Sequence, residues 1–223
     1  MFKMTVFALL AITLTACGIS SPNETVSTVP AENTPGISVE PATSSEANTE
    51  QSENNHGVLI AYFSRTGENY GVGMIEKGNT AIIAEMIAEQ TGGELFEIKT
   101  VNAYPDNYEE CTEIAQAEKK ENTRPELADN LDSLDGYDTI YLGYPIWWGD
   151  MPMAVYTFLE SNDFAGKTIV PFCTHAGSGL SGTVENISAV CPDATTGTGL
   201  AIAGTVAQND KEAAKQSVTE WLQ

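Results

Sequence analysis

Hydroxyl, amide and glycine residues follow the first strongly apolar run of the chain, at residues 58–63. One group, Ser-Arg-Thr-Gly, occupies residues 64–67, and a second, Gly-Asn-Thr, occupies residues 78–80, where a helical pattern starts. Hydroxyls and backbone N–H groups at a strand end, with the positive end of a helix dipole, can hold a phosphate dianion with few formal charges. A capped strand-to-helix turn is the alternative interpretation. The segment has neither the Walker ending Gly-Lys-Ser/Thr nor the dinucleotide glycine pattern.

Two adjacent aromatic residues, Trp147 and Trp148, follow another apolar run at residues 139–143. Large rings at the end of a buried strand offer flat faces on which a planar aromatic ligand can stack, and they exclude water from it. The alternative is that both rings only cover the end of the sheet.

A third candidate segment, residues 174–179, follows the apolar run at residues 168–173. Its small residues would let backbone N–H groups approach a ligand, and His175 offers a donor near neutral pH. His175 and Ser178 also suggest a hydrolytic triad. However, Ser178 lies in Gly-Ser-Gly rather than in the Gly-x-Ser-x-Gly elbow, which disfavours a hydrolase. With two histidines in the whole chain, a metal site is equally disfavoured.

The hydrophobic pattern that must position these loops alternates strands with helices. Continuous apolar runs indicate strands that are covered on both faces. The predicted strands are residues 58–63, 94–98, 139–143, 168–173 and 200–203, and the predicted helices are residues 80–90, 108–120, 152–159, 180–190 and 210–222. This alternation predicts an α/β fold with a doubly wound, five-stranded parallel sheet in the strand order 2-1-3-4-5, with ligands at the carboxyl ends of the strands. The polar segment at residues 104–125 either covers an edge of that site or only connects two strands.

The N-terminus has the features of an export signal. Lys3 precedes an apolar run at residues 5–16, which is too short to span a bilayer as an anchor. Leu-Thr-Ala-Cys at residues 14–17 resembles the bacterial lipobox, in which the cysteine is diacylated, and two acyl chains anchor a protein stably. The alternative is an ordinary signal peptide that contains a cysteine. We expect a lipoprotein signal peptide at residues 1–16 and an exported protein anchored to the cell membrane by lipidated Cys17.

Residues 17–56 are rich in Ser, Thr, Asn, Glu and Pro and contain few large apolar side chains. Such a segment cannot bury enough surface to offset the entropy lost on ordering. We therefore expect a disordered tether here, followed by one folded domain at residues 57–223.

The negative charge of the chain disfavours polyanionic partners. The 223 residues include 31 acidic and 10 basic ones, for a net charge of −21, and 25 acidic and nine basic residues lie in the predicted domain. Nucleic acid and anionic membrane surfaces are disfavoured, because phosphate binding requires clustered cations.

Four cysteines are too few and too far apart for a disulfide scaffold or a zinc cluster. Cys111 and Cys191 could pair after export, or each could be a free thiol. Cys173 ends an apolar run and is expected to be a small buried side chain.

The sequence Ala-Tyr-Phe-Ser-Arg-Thr-Gly at residues 61–67 resembles the start of a flavodoxin, whose first loop holds the FMN phosphate with a Ser/Thr-x-Thr-Gly-x-Thr pattern. Here residues 70–77 separate the two halves of the pattern. This split form resembles a flavodoxin-like branch of bacterial, often lipid-anchored, proteins. The resemblance implies noncovalently bound FMN. The matching phosphate ligands are Ser64, Thr66, Asn79 and Thr80, with Arg65 and Gly67 contributing mainly backbone groups.

The same resemblance assigns the flavin-edge loops. The matching residues are Pro145, Ile146, Trp147, Trp148 and Gly149 on one side of the isoalloxazine, and Thr174, His175, Gly177, Ser178 and Gly179 on the other. The sequence does not decide which tryptophan stacks on the ring. Residues 193–197, Asp-Ala-Thr-Thr-Gly, faintly resemble sites of covalent FMN attachment to Thr, but the Ala expected after the Gly is absent.

These features predict a membrane-tethered FMN protein that carries electrons at low potential, with no catalytic amino acid. Carboxylates around the cofactor would disfavour its anionic reduced form and so lower the potential. The expected partner is a redox protein or a small electron acceptor. Two alternatives stay open: an NAD(P)H-dependent FMN quinone reductase, and a ligand-binding lipoprotein without redox activity. The last is favoured by the absence of a twin-Arg signal, since FMN would then be acquired after export.

Overall fold

The structure is a computed structural model that describes residues 57–223. The predictions for the export signal, Cys17 and the tether lie outside this part of the chain. The strands are β1 (Gly57–Tyr62), β2 (Gly67–Asn69), β3 (Gly73–Ile75), β4 (Glu94–Glu97), β5 (Tyr137–Pro145), β6 (Thr168–His175), β7 (Thr195–Thr196) and β8 (Leu200–Ala203). The helices are α1 (Asn79–Thr91), α2 (Tyr108–Glu121), α3 (Met153–Ser161), α4 (Thr183–Val190), α5 (Gly204–Asn209) and α6 (Lys211–Trp221).

The main sheet is parallel and has the order β4-β1-β5-β6, with β7 and β8 both paired to β6. This is the predicted doubly wound order, which is confirmed. The fifth position is divided between two short strands: β7 pairs with the start of β6, and β8 pairs with its end. The hydrophobic pattern predicts a single strand there, at residues 200–203.

Two apolar layers cover the sheet, and β1 contributes to both. Leu59 and Ala61 belong to the core under α3 and α4, whereas Ile60 and Tyr62 belong to the core under α1, α5 and α6. Because successive side chains of a strand point to opposite faces, a strand between two cores must be apolar at every position. This explains the continuous apolar run that begins the domain.

The polar insertion after β1 forms an antiparallel hairpin from β2 and β3. The N–H of Glu68 donates to the carbonyl of Asp106 at 2.7 Å, and its carboxylate accepts from the N–H of Tyr108 at 3.2 Å, at the start of α2. On the other side, the amide of Gln208 in α5 donates to the carbonyl of Lys77 at 2.7 Å. The hairpin is therefore held between α2 and α5.

Several predicted boundaries were wrong. Strand β5 continues to Pro145 and β6 to His175, so residues assigned to loops lie at strand ends. Helix α4 begins at Thr183 rather than at residue 180, because Gly182 has a φ of 76° and interrupts the helical path. Helix α5 was not predicted at all. None of the helices within residues 57–223 has the length and apolar character that crossing a bilayer requires.

Candidate cofactor-binding site

A cleft of ≈ 480 Å³ lies where the carboxyl ends of β1, β5 and β6 meet α2 and the β2–β3 hairpin. Eight of its lining residues were predicted from sequence: Arg65, Asn79, Pro145, Ile146, Trp147, Trp148, Thr174 and His175. The predicted residues that do not line it are Ser64, Thr66, Gly67, Thr80, Gly149, Gly177, Ser178 and Gly179. Ser64, Thr66, Thr80, Gly149 and Gly177 are each adjacent in sequence to a lining residue, and Gly67 accepts a hydrogen bond from lining Asn69. Ser178 and Gly179 have neither connection to the cleft.

Ser64 caps helix α1 from a distance of 17 positions along the chain. Its Oγ accepts a hydrogen bond from the N–H of Ala81 at 3.0 Å, while Gly78, the residue at the helix start, has no side chain to do so. A Cβ at position 78 would overlap Ser64 Oγ. Glycine there lets the loop after β1 lie directly against the N-terminus of α1, which presents the positive end of the helix dipole.

Asn79 carries an unsatisfied polar atom at this point. Its Oδ1 is buried and has no hydrogen-bond partner within the part of the chain that the structure describes. Its amide packs against Gly204, where a Cβ would lie 2.5 Å from Asn79 Nδ2. A buried polar atom without a partner costs free energy, so this amide is available to accept a hydrogen bond from a ligand or a water in the cleft.

Arg65 ties three segments together through backbone carbonyls. Its Nε donates to the carbonyl of Pro105 at 3.0 Å, Nη1 to that of Glu68 at 2.6 Å, and Nη2 to those of Pro105 and Asp106 at 2.6 and 2.8 Å. Each of the three guanidinium nitrogens of Arg65 therefore donates to a backbone carbonyl. Arg65 thus shapes the entrance of the cleft by joining the hairpin to the segment before α2.

Thr80 and Thr174 join the start of α1 to the end of β6 at the base of the cleft. Their hydroxyls lie 2.8 Å apart, and both side chains are buried. Thr66 is exposed, and its carbonyl accepts from the Asn69 amide at 3.3 Å. The same amide donates to the carbonyl of Gly67 at 3.2 Å, which closes the loop on itself.

The two tryptophans have different surroundings. Trp147 is partly buried and packs edge-on against Phe63 and Tyr104, with ring centroids 5.3 and 5.0 Å apart. Trp148 is 52% exposed, and its Nε1 donates to the carbonyl of Thr112 in α2 at 2.9 Å. Trp147 is therefore braced by other rings, whereas Trp148 is a half-exposed wall of the cleft.

The loop after β5 is a tight turn between Trp147 and Asp150, whose N–H and C=O groups bond to each other at 2.8 and 3.0 Å. The central residues, Trp148 and Gly149, have φ values of 51° and 73°, as in a type I′ turn. Glycine adopts a positive φ freely at position 149, but the positive φ of Trp148 is strained because its side chain is bulky.

His175, at the end of β6, offers one free donor. Its Nδ1 accepts from the N–H of Gly177 at 2.9 Å, so the neutral ring carries its proton on Nε2. Burial lowers the pKa of His175 and favours this neutral form. A hydrolytic triad needs the opposite tautomer, with Nδ1–H donated to a carboxylate. The geometry therefore disfavours the hydrolase.

Helix α2 supplies lining residues that were not predicted individually, so the segment at residues 104–125 covers an edge of the cleft and does not only connect two strands. Tyr108, Cys111, Thr112 and Ala115 line the cleft and lie on one face of the helix, since they are spaced by three and four positions. Their periodicity was visible in the sequence, but the helix is so polar that its apolar stripe is narrow. The other missed lining residues are Asn69, Tyr70, Ala176 and Gly204.

Cys111, Cys173 and Cys191 are free thiols, all buried, so the pairing of Cys111 with Cys191 is not formed. Burial raises the pKa of Cys111, and it raises that of Cys191 to about 11.

Thr195 and Thr196 pair with Thr168 and Ile169 at the amino end of β6, opposite the cleft. The covalent-attachment alternative therefore does not fit a ligand held in this cleft.

Residues 57–222 match the sequence model of the family described as Flavodoxin. The chain belongs to the flavodoxin family. This flavodoxin is similar to a protein from Bacteroides uniformis designated a flavoprotein, with 32% identity and a TM-score of 0.58 over 74% of this chain and 98% of the other. A second protein so designated, from Bacteroides eggerthii, is 28% identical, with a TM-score of 0.58 over 75% and 96%.

A flavoprotein from Lactobacillus acidophilus, solved in complex with FMN, is 22% identical, with a TM-score of 0.54 over 75% of this chain and 99% of the other. That likeness shows the shared fold. No curated protein matches the sequence significantly. Membership of this family confirms the predicted resemblance to flavodoxins and, with it, FMN as the predicted cofactor.

The residues of the cleft fit FMN. Hydroxyl and amide groups meet the N-terminus of α1 at one end, and the buried Oδ1 of Asn79 has no other partner there. Aromatic side chains from three elements, Tyr70, Tyr108, Trp147 and Trp148, line the rest. A phosphate at a helix N-terminus and a planar ring between aromatic side chains are the interactions that such groups favour.

Proposed function

We propose that this flavodoxin is a low-potential electron carrier that binds FMN noncovalently in the cleft and is held at the cell membrane by acyl chains on Cys17. One observation carries the proposal. Two aromatic residues that line the cleft, Tyr70 and Trp148, are 67% and 52% exposed. A ring bound between such walls keeps an edge open to a redox partner, which is what an electron carrier requires.

FMN would supply the redox chemistry, and the chain would supply binding and orientation. Asn79, the N–H groups at the start of α1 and the hydroxyls of Ser64 and Thr66 beside them would hold the phosphate. The Thr80 hydroxyl, the fourth predicted ligand, is instead buried against that of Thr174. Trp147, Trp148, Tyr70 and Tyr108 would pack against the ring. The Nε2–H of His175 and backbone groups beside Ile146 would hydrogen-bond its polar edge.

The charge of the domain supports a low reduction potential. With 25 acidic and nine basic residues at 57–223, the field opposes any further negative charge placed in the cleft. Arg65, the one guanidinium that lines the cleft, donates to backbone carbonyls rather than into open space. Both features favour the less negative form of a bound flavin, and so a low potential.

The first experiment is an FMN titration of the full chain purified in detergent, followed by flavin fluorescence and visible absorbance. The proposal predicts saturable binding with a shift in the visible spectrum, and a midpoint potential below that of free FMN that rises as salt screens the carboxylates. W148A is the matched variant and should bind more weakly. Unchanged spectra and an unchanged melting temperature would show that the domain binds another ligand.

A second measurement separates the carrier from the reductase. The FMN-loaded protein is mixed with NADH or NADPH and a soluble quinone, and oxidation of the nicotinamide is recorded. A carrier leaves the nicotinamide unoxidised but exchanges electrons with a chemically reduced redox protein. Steady turnover with the quinone would instead identify an NAD(P)H-dependent quinone reductase.

A further inference from the structure

We infer that Lys119, in the last turn of α2, is the positioning residue for Trp148 and thereby sets the affinity of the cleft for FMN. The inference rests on the proposed function, since it takes FMN as the ligand of the cleft. The Lys119 side chain does not itself line the cleft.

The conformation of Trp148 is unfavourable in isolation. A φ of 51° places a bulky residue in the left-handed region, where residues other than Gly, Asn and Asp are uncommon. Strained residues of this kind persist only when surrounding contacts hold them. Trp148 must therefore be fixed from outside its own turn.

Helix α2 supplies two of the contacts that fix it. The ring Nε1 donates to the carbonyl of Thr112 at 2.9 Å, and the ammonium of Lys119 donates to the carbonyl of Trp148 at 2.7 Å. One contact orients the ring, and the other holds the peptide group of the strained residue. Since Thr112 and Lys119 lie two helical turns apart, together they align the tryptophan along α2.

Asp150 connects Lys119 to the rest of the domain. Its Oδ2 lies 3.6 Å from Lys119 Nζ, while its Oδ1 accepts from Tyr156 and Asn186, in α3 and α4, at 3.0 Å each. The Asp150 side chain is 14% exposed and that of Lys119 40% exposed. Lys119 thus bridges the Trp148 carbonyl and a carboxylate that the two neighbouring helices hold in place.

The two tryptophans differ in how much they depend on this bridge. Trp147 is packed edge-on by Phe63 and Tyr104, so its ring has apolar support. Trp148 is half exposed, and the two contacts from α2 that hold it are hydrogen bonds. Loss of the Lys119 ammonium should therefore let the Trp148 turn adopt other conformations, with the ring away from the cleft for part of the time.

A double-mutant cycle on the full chain tests the inference, with FMN affinity measured by fluorescence titration. K119M keeps the apolar stem of the side chain and removes its charge. We expect it to weaken FMN binding about threefold to tenfold, the effect of losing one charge-assisted hydrogen bond at a strained turn. In the W148A background, K119M should produce no further loss, because the residue on which Lys119 acts is gone.

Two controls sharpen the cycle. K120M removes the same charge from the adjacent position of α2 and should bind FMN as the unaltered protein does. K119R, which retains a long cationic donor, should recover part of the lost affinity. The visible circular dichroism of bound FMN should change in K119M but not in K120M, because it reports the placement of the ring beside Trp148.

Distinct results would overturn the inference. Binding of FMN by K119M within twofold of the unaltered protein would show that Trp148 needs no such support. An equal loss in both the native and W148A backgrounds would show a direct charge effect on FMN. If the unaltered protein bound no FMN at all, the proposed function would fail rather than the role of Lys119.

Discussion

The hydroxyl oxygens of Thr80 and Thr174 lie 2.8 Å apart in the interior, joining the start of α1 to the end of β6. Each hydroxyl satisfies the other away from water. We expect T174V to lower the free energy of unfolding by about 1–3 kcal/mol, because it leaves the Thr80 hydroxyl buried without a partner. Urea denaturation of the protein without FMN measures this loss. The double variant T80V/T174V should lose less than the sum of the two single changes, and strict additivity would contradict the pairing.

The two tryptophans should respond differently to truncation. W148A should weaken FMN binding by about 1–3 kcal/mol, the usual worth of stacking on an aromatic side chain, with little change in stability. W147A should also lower the free energy of unfolding by at least about 2 kcal/mol, because Phe63 and Tyr104 lose the ring against which they pack. Titration and thermal unfolding of both variants check this, and equal losses of stability would refute the distinction.

Two glycines with positive φ offer a matched pair. Gly149 has a φ of 73° and open space where a Cβ would lie, so G149A should cost only about 1 kcal/mol of conformational strain. Gly67 has a φ of 79°, and its Cβ would lie 2.7 Å from the Cα of Asp106. G67A must therefore displace the hairpin from the segment before α2 and should be the more destabilising. The melting temperatures of the two variants give the order, and the reverse order would contradict this account of the hairpin.

Acidification should destabilise the domain partly through His175. Burial lowers the pKa of this imidazole in the folded state below its unfolded value near 6.5. The unfolded chain thus binds the proton more readily, and stability present above about pH 6.5 is lost as the pH falls toward the folded pKa. Unfolding free energies of the native protein and H175Q at about pH 7.5 and about pH 5.5 test this. The native protein should lose more stability than H175Q, and parallel losses would exclude the histidine.

Membrane attachment is tested at Cys17, which lies outside the residues that the structure describes. C17S removes the sulfur that would carry the acyl group, so the protein should move from the membrane fraction to the soluble exported fraction. Fractionation followed by immunodetection measures the shift. Retention of C17S in the membrane fraction would contradict a lipid anchor.

Much of the fold could be predicted because its signals are local. The run at residues 58–63 is apolar at every position since β1 lies between two cores, and β5 and β6 also contribute side chains to both cores. The divided edge was missed because β7 contributes only two residues, Thr195 and Thr196, too few to produce a periodic pattern. Helix α5 was missed for the same reason, being six residues long.

For the site, too, some features could be predicted from the sequence and others could not. Gly-rich and aromatic segments at strand ends predicted the loops that meet at the cleft, because parallel strands bring their carboxyl ends to one edge. The roles of individual side chains were not predictable. Arg65 binds carbonyls 40 to 42 residues away, and Ser64 caps a helix that begins 15 residues later. Such contacts depend on the path of the intervening hairpin, which has no signature in the residue types.

The sequence by itself determined the layered architecture, the family and three of the segments that line the cleft, because these depend on hydrophobic periodicity and on residue type. Only the tertiary structure decided which groups face the cleft and what holds them there. It placed a stripe of α2 along the cleft, separated a braced Trp147 from a half-exposed Trp148, and brought Lys119 to the Trp148 carbonyl. Hydrogen bonds between distant segments require both partners to be in place, and that placement is a property of the packed whole.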